Sequence, residues 1–270
     1  MTTTIAAIAA LWFTSQSLRA TSNQYDLSQQ VAATDRFQKA VAALTSDMID
    51  IRLGGIYLLE RLAKDSPTDR DTVFAVLSAF LRTHTNATAC ETPTRTAPAP
   101  VDISAVVAVI RRREHRGPLD LARTCLSGMG FRQANLAGSS FDSASLSETL
   151  FYSADLTHAW FNGATLVNAG FSFANLTDAQ LGNADLRGTF LDSTNLTNVW
   201  FGNTNLASAY CANADFTKAS LINANLTSAN LAGANLADAV LDHVDLTNIY
   251  YDRATRWPPG YTPPASRPTP

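Results

Sequence analysis

From Leu121 to Tyr251 every fifth residue is large and apolar, twenty-seven positions in a row without a slip of phase. Two positions earlier sits a small residue, usually alanine, as at Ala134, Ala154, Ala174, Ala214 and Ala234. The residue just before the large one is often Asn or Asp, which gives the recurring Ala-Asn-Leu and Ala-Asp-Leu. A helix repeats its apolar face every 3.6 residues and a strand every 2, so neither accounts for a period of five. A chain that turns a corner every five residues does. Large and small side chains then point inward, and the other three positions point out. The departures are mild. Thr189, Thr194, Val199, Thr204, Val244 and Ile249 replace the small alanine, and Cys211 is undersized for a central position. Its thiol reads as inert core.

The string Ala-Asn-Leu-Thr-Ser-Ala-Asn-Leu-Ala-Gly-Ala-Asn-Leu, residues 224–236, resembles the pentapeptide-repeat family, and the likeness covers residues 121–255, about half the chain. The resemblance implies a mainly β fold, a right-handed quadrilateral β-helix with four repeats, or twenty residues, in each coil. Sorting the large residues modulo twenty agrees with that coil. Phe131, Phe151 and Phe171 fall on one wall, and Phe141, Phe161 and Phe201 on the opposite one. Rings are then expected to stack between neighbouring coils instead of clashing across the narrow lumen. At the strand spacing of about 4.8 Å, nearly seven coils make a rod of roughly 30 Å. Each coil buries its core only against its neighbours.

Outward positions of such a rod should be small or polar. The exceptions fall just before the central residue, at Leu150, Trp160, Phe190, Trp200, Tyr210 and Tyr250. Modulo twenty, Trp160 and Trp200 share one column, and the other four share the opposite column. Corner packing without function is one explanation. The other is binding, because exposed apolar patches mark interfaces and aromatic anchors dominate their energy. On that second reading one column receives the helical domain, and the other meets a protein partner or a second copy in a homodimer.

The segment 27–86 has a different rhythm. Residues 46–62 read as a helix with Ile49, Leu53, Ile56 and Leu59 on one face. Gly54-Gly55 inside it costs about 1 kcal/mol per glycine, and close approach of a neighbouring helix explains it. Asp65-Ser66-Pro67 stops this helix and starts the next, in which Val73, Val76, Leu77, Phe80 and Leu81 are apolar. The string Arg-Leu-Gly-Gly-Ile-Tyr at 52–57 is similar to the HEAT-like helix pairs that precede the β-helix in bacterial pentapeptide-repeat proteins. That likeness implies a membrane helix ahead of the bundle. Residues 87–100 form a Thr/Pro/Ala linker. The segment 101–117 holds a capping helix over Asp102–Arg113 whose basic end, Arg111-Arg112-Arg113, reads as solvated. The β-helix occupies 118–255. Trp257 is placed to cover the last coil, within a cap and disordered tail over 256–270.

In residues 1–26 the apolar run Ile5 to Phe13 is nine long, short of the roughly 20 that span a bilayer, and no Lys or Arg precedes it. Two readings stay open: the start of an amphipathic helix, or the end of a membrane anchor with Trp12 at the interface. They place the protein in the cytoplasm or on the cytoplasmic side of a membrane.

Composition narrows the chemistry. Charged residues make up 16% of the chain, below the usual 25% or so, and the net charge is −3, which points away from direct nucleic-acid binding. Three cysteines without a CxxC pair argue against a disulfide framework and for a reducing compartment. The four histidines lack metal-ligand spacing, and no nucleophile elbow or phosphate-binding glycine loop occurs. Asp155, Asp185, Asp215 and Asp245 recur every thirty residues, so on a twenty-residue coil they alternate between opposite sides. We therefore expect a non-enzymatic interaction or scaffold protein without catalytic residues, cofactor or metal. The family resemblance also implies an alternative, a DNA mimic that modulates a type II topoisomerase. Residues 121–255 hold 11 acidic and 5 basic side chains, a net charge of −6. A duplex of the same length carries roughly 18 negative charges. The rod falls well short of it.

Overall fold

The computed structural model describes residues 24, 28, 30–85, 90, 99–114 and 117–268. The chain divides into two compact units, residues 1–70 and 71–270. The cut runs inside the 27–86 segment.

In the first unit, α1 is helical through residues 30–44, α2 spans Ile49–Asp65, and a 3₁₀ turn covers Pro67–Asp69. Helix α2 starts at Ile49 and not at 46, because Ser46 and Asp47 are held in a loop whose carbonyls accept from the Arg52 guanidinium at 2.8 and 3.1 Å. Gly55 lies under α1: a Cβ there would meet the Ala40 carbonyl oxygen at 2.8 Å and the Ala43 Cβ at 2.9 Å. Gly54 has open space around its Cβ direction, so close approach explains one glycine of the pair. At the C-terminus of α2 the Ser66 N–H donates to Leu62, and Pro67 then opens the 3₁₀ turn, where its missing N–H costs nothing.

The second unit holds α3 (Arg70–His84) from Asp71 on, α4 (Val101–Arg112) and the rod. Twenty-four parallel bridges build the rod, and all but the last join residues twenty apart, such as Asp155 with Asn175. The bridging residue is the one before each central side chain. After the central residue the chain makes a turn closed by a hydrogen bond, as from Ala134 N–H to the Phe131 carbonyl at 3.1 Å. The third residue of each turn has positive φ, +58° at Gln133 and +57° at Asn168, which makes these type II turns. Asn, Ser, Asp and Gly tolerate that region, and they fill most of these positions. The side chain at the bridging position helps hold the turn: the Asn175 amide oxygen accepts from the Thr177 N–H at 3.1 Å and its hydroxyl at 2.6 Å. The Asn and Asp repeats therefore have a structural task.

Central residues from Leu121 to Leu236 are fully buried. Phe131, Phe151 and Phe171 stack in one column at 5.4 and 5.0 Å, and Phe141 stacks on Phe161 at 4.8 Å. The two columns also meet across the lumen, edge to face, with Phe141–Phe151 at 5.7 Å and 80°. Crossed rings place a positive edge on a negative face, which is favourable and not a clash. Buried threonines at alanine positions are satisfied: Thr194 and Thr204 donate to the Phe171 and Leu181 carbonyls of the previous coil at 2.9 and 2.8 Å.

Side chains close the open edge of the first coil. Arg82 donates to the Asp120 carbonyl at 2.6 Å, the Cys125 N–H donates to the Thr85 hydroxyl at 3.1 Å, and Arg113 donates twice to the Asn135 carbonyl at 3.1 and 2.7 Å. These groups replace partners that a preceding coil would supply. Arg113 is 8% exposed, so the basic run is not solvated throughout as expected. Burial pushes its guanidinium down to about 10, which leaves it charged at neutral pH.

At the other end the register slips by one, with Asn235 bridging Arg256, and Trp257 packs between Tyr251 and Tyr261. The expected disordered tail is also corrected. Through residue 268 the chain folds back: the Arg267 N–H donates to Ile249 at 2.9 Å, and Ser266 exchanges hydrogen bonds with the Tyr251 backbone. No described helix is long and apolar enough to cross a membrane, and the Ile5–Phe13 run lies outside the described residues.

Candidate interaction surface

The six aromatic and aliphatic exceptions occupy two of the four bridge ladders. One ladder runs Gly130, Leu150, Gly170, Phe190, Tyr210, Asn230, Tyr250. A second runs Asp120, Ser140, Trp160, Gln180, Trp200, Ser220, Val240. Bridging backbone holds each side chain perpendicular to the wall, so residues twenty apart lie side by side.

On the first ladder Phe190 and Tyr210 are 43% and 47% exposed and stack face to face, centroids 5.0 Å apart and planes 6° from parallel. Leu150 and Tyr250 are half-buried, Leu150 against Gly170, so they contribute less surface than expected. On the second ladder Trp160 is 50% exposed and Trp200 is 38% exposed. Trp200 lies flat on its own coil and the one before, its ring filling the Cβ space of both Gly182 and Gly202. Arg82 of α3 donates to the rod at Asp120, on the same ladder as Trp160 but two coils before it, and Thr85, just after α3, accepts from the Cys125 N–H on a different ladder.

A third group adjoins the Phe190–Tyr210 ladder at the next corner. Tyr152 and Phe173 meet at 5.3 Å, edge to face, and are both exposed. Phe173 sits at φ +62°, a left-handed conformation that bulky side chains rarely adopt and that costs on the order of 1–3 kcal/mol. Attention to the residue before the central one missed this pair, because they occupy the first and second positions after it. The signal was present as two aromatics where the repeat calls for Asn, Ser or Gly. In the same corner column stands Asp192, whose carboxyl is pushed up chiefly by burial, against the N–H it accepts from Ala212.

Among the described residues no group of three or more His, Cys, Asp or Glu is placed to hold a metal ion. The Cys211 thiol is wholly buried, and burial pushes its pKa far up. Cys90 and Cys125 form a disulfide with Cα atoms 5.4 Å apart, which corrects the expectation of unpaired cysteines. Spacing in the sequence carries no distance across a chain that folds back on its first coil.

A family model described as pentapeptide repeats matches residues 131–168, 174–209 and 209–248, in eight copies. The rod belongs to the pentapeptide-repeat family. Membership implies the right-handed, four-sided β-helix that the bridges describe. Solved pentapeptide-repeat structures resemble it. A pentapeptide repeat protein from the Arabidopsis thaliana thylakoid lumen is 35% identical, over 34% of this chain, with a TM-score of 0.34. This chain spans 65% of that chain's length. HetL, involved in heterocyst differentiation regulation in the cyanobacterium Nostoc, is 24% identical over 52% of this chain and 77% of its own, with a TM-score of 0.29. QnrB1, a plasmid-mediated fluoroquinolone resistance protein, is 18% identical over 51% and 78%, with a TM-score of 0.27. No curated protein matches the chain.

Proposed function

We propose that this protein is a non-enzymatic interaction or scaffold protein whose pentapeptide rod binds a protein partner through the face carrying Phe190 and Tyr210. The observation that carries this reading is their exposed parallel stack, extended around the corner by Tyr152 and by Phe173 in a strained conformation. Folding gains little from large apolar rings left in water, and binding gains much from them. The flat packing of Trp200 on two glycines gives that ring a structural explanation, which makes the Trp160–Trp200 face the weaker candidate. The topoisomerase-mimic alternative draws less support, because the rod carries a net charge of only −6.

Paired substitutions test the proposal. Phe190→Ala with Tyr210→Ala should reduce self-association in sedimentation, or recovery of a specific partner, at least tenfold. Trp160→Ala should leave it within twofold. Equal loss from both, or from neither, refutes the assignment.

A further inference from the structure

We propose that the Cys90–Cys125 disulfide is a reversible clasp, opened by a small thiol that enters the hydroxyl-lined groove beside Cys90. Cys90 lies in the segment joining α3 to α4, and Cys125 is a bridging residue of the first coil, paired with Ser145. The bond therefore fastens Cys90 to the one edge of the rod that no preceding coil covers. Both cysteines are half-buried, so the bond is reachable without unfolding. The third cysteine, Cys211, is fully enclosed in the core and takes no part in exchange.

The groove is a cavity of about 270 Å³ lined by Cys90 together with Ser127, Ser143, Ser145, Ser147 and Thr165. The Cys90 sulfur lies 3.5 Å from the Ser127 hydroxyl, which in turn lies 3.1 Å from that of Ser145. Hydroxyls donate and accept alike, so the groove suits a polar peptide thiol such as glutathione. Its thiolate attacks the Cys90 sulfur, forms a mixed disulfide there and releases the Cys125 thiolate, which takes a proton from water. A second thiolate attacks the glutathione sulfur of that mixed disulfide. It leaves as glutathione disulfide and frees the Cys90 thiolate. The two electrons gained by the cysteines come from the two glutathione molecules. The reverse sequence, with glutathione disulfide as oxidant, closes the clasp.

Opening the clasp does not dissolve the cap, which Arg82 and Arg113 still hold at Asp120 and Asn135. Its local effect falls on Cys125, whose N–H is bonded to the Thr85 hydroxyl.

Full-length protein is equilibrated with glutathione disulfide or with reduced glutathione, alkylated, and followed by hydrogen exchange. After oxidation no cysteine of the folded protein should alkylate. After reduction Cys90 and Cys125 should alkylate, with Cys211 reacting only in denaturant. Exchange at the Cys125 amide should rise at least tenfold on reduction, while Leu176 in mid-rod stays within twofold. Cys90→Ser should show the faster exchange in both buffers. Alkylation of Cys90 and Cys125 after oxidation overturns the proposal, as does resistance of the bond to reduced glutathione in the folded protein. Cys125 exchange that ignores reduction overturns it too, and the wild-type comparison stands alone if the variant does not fold.

Discussion

The Trp200 indole lies where a Gly182 side chain would be, with ring carbons 2.1 to 2.8 Å from the position of the missing Cβ. Gly202 sits under the same ring, with its nearest atoms at 2.6 and 2.7 Å. Neither glycine is needed for a left-handed backbone, so their smallness alone admits the indole. Gly182→Ala should therefore swing Trp200 off the wall into solvent. A red-shifted tryptophan emission with a loss of about 0.5–1.5 kcal/mol is the expected result. Gly170→Ala, whose Cβ would stand 3.5 Å from Leu150, makes an ordinary contact and should leave the emission unchanged.

Removing the Arg113 guanidinium tests the closure of the first coil. Arg113→Met keeps most of the aliphatic stem but removes the guanidinium that lies over the Phe74 ring and leaves the Asn135 carbonyl without the two donors it now has. The expected loss is about 1–3 kcal/mol, the usual consequence of a buried acceptor left unpaired. A lower denaturant midpoint at unchanged slope would show it. An unchanged midpoint would mean that solvent caps this edge as well as Arg113 does.

Core and surface aromatics should separate cleanly in stability. Phe151 is fully buried, with stacked neighbours on both sides. Phe151→Ala is expected to cost about 3–5 kcal/mol. Phe190→Ala removes an exposed ring and should stay within about 1 kcal/mol, near the value of an aromatic pair. Similar losses for both would show that Phe190 is a folding residue and would weaken its assignment to a partner.

The five-residue period made the rod legible because it is strict: one large inward residue in every repeat, with the small inward residue and the turn residues in phase with it. With the twenty-residue coil that the family resemblance implies, that phase placed the Phe131–Phe151–Phe171 column and the aromatic exceptions on two walls. The edge-to-face contacts were not legible, because a period orders residues along walls and says nothing of the lumen's width. The Cys90–Cys125 pairing and the buried Arg113 were missed for a common reason. Both depend on how the segments before the rod meet its first coil, and no repeat extends there. The tail was misread because its prolines and polar residues resemble a disordered end, whereas Arg267 and Ser266 satisfy edge groups of the final coil.

Acid should fray the last coil before the middle. The Asp252 carboxylate accepts N–H bonds from Gly233, Ala254 and Thr255, which hold its pKa below the usual carboxylate range. A carboxyl depressed in the folded state stabilises above its unfolded pKa, and that stability is lost as pH falls through the folded value. Hydrogen exchange at Gly233, corrected for intrinsic rates, should speed up as pH drops below about 4, relative to mid-rod amides. Asp252→Asn should abolish that pH dependence. A uniform acid response along the rod would contradict the local role of Asp252.

The central claim is that the Phe190–Tyr210 face meets a protein, and site-specific photo-crosslinking tests it most directly. A photoreactive phenylalanine placed at Tyr210 substitutes one exposed ring for another. The same residue placed at Asn195, an exposed bridging position on a different ladder, serves as the control. Irradiation in the native cell should give a discrete adduct from position 210, either with another protein or with a second copy, and none from 195. No adduct from 210, or the same adducts from both positions, would contradict the account.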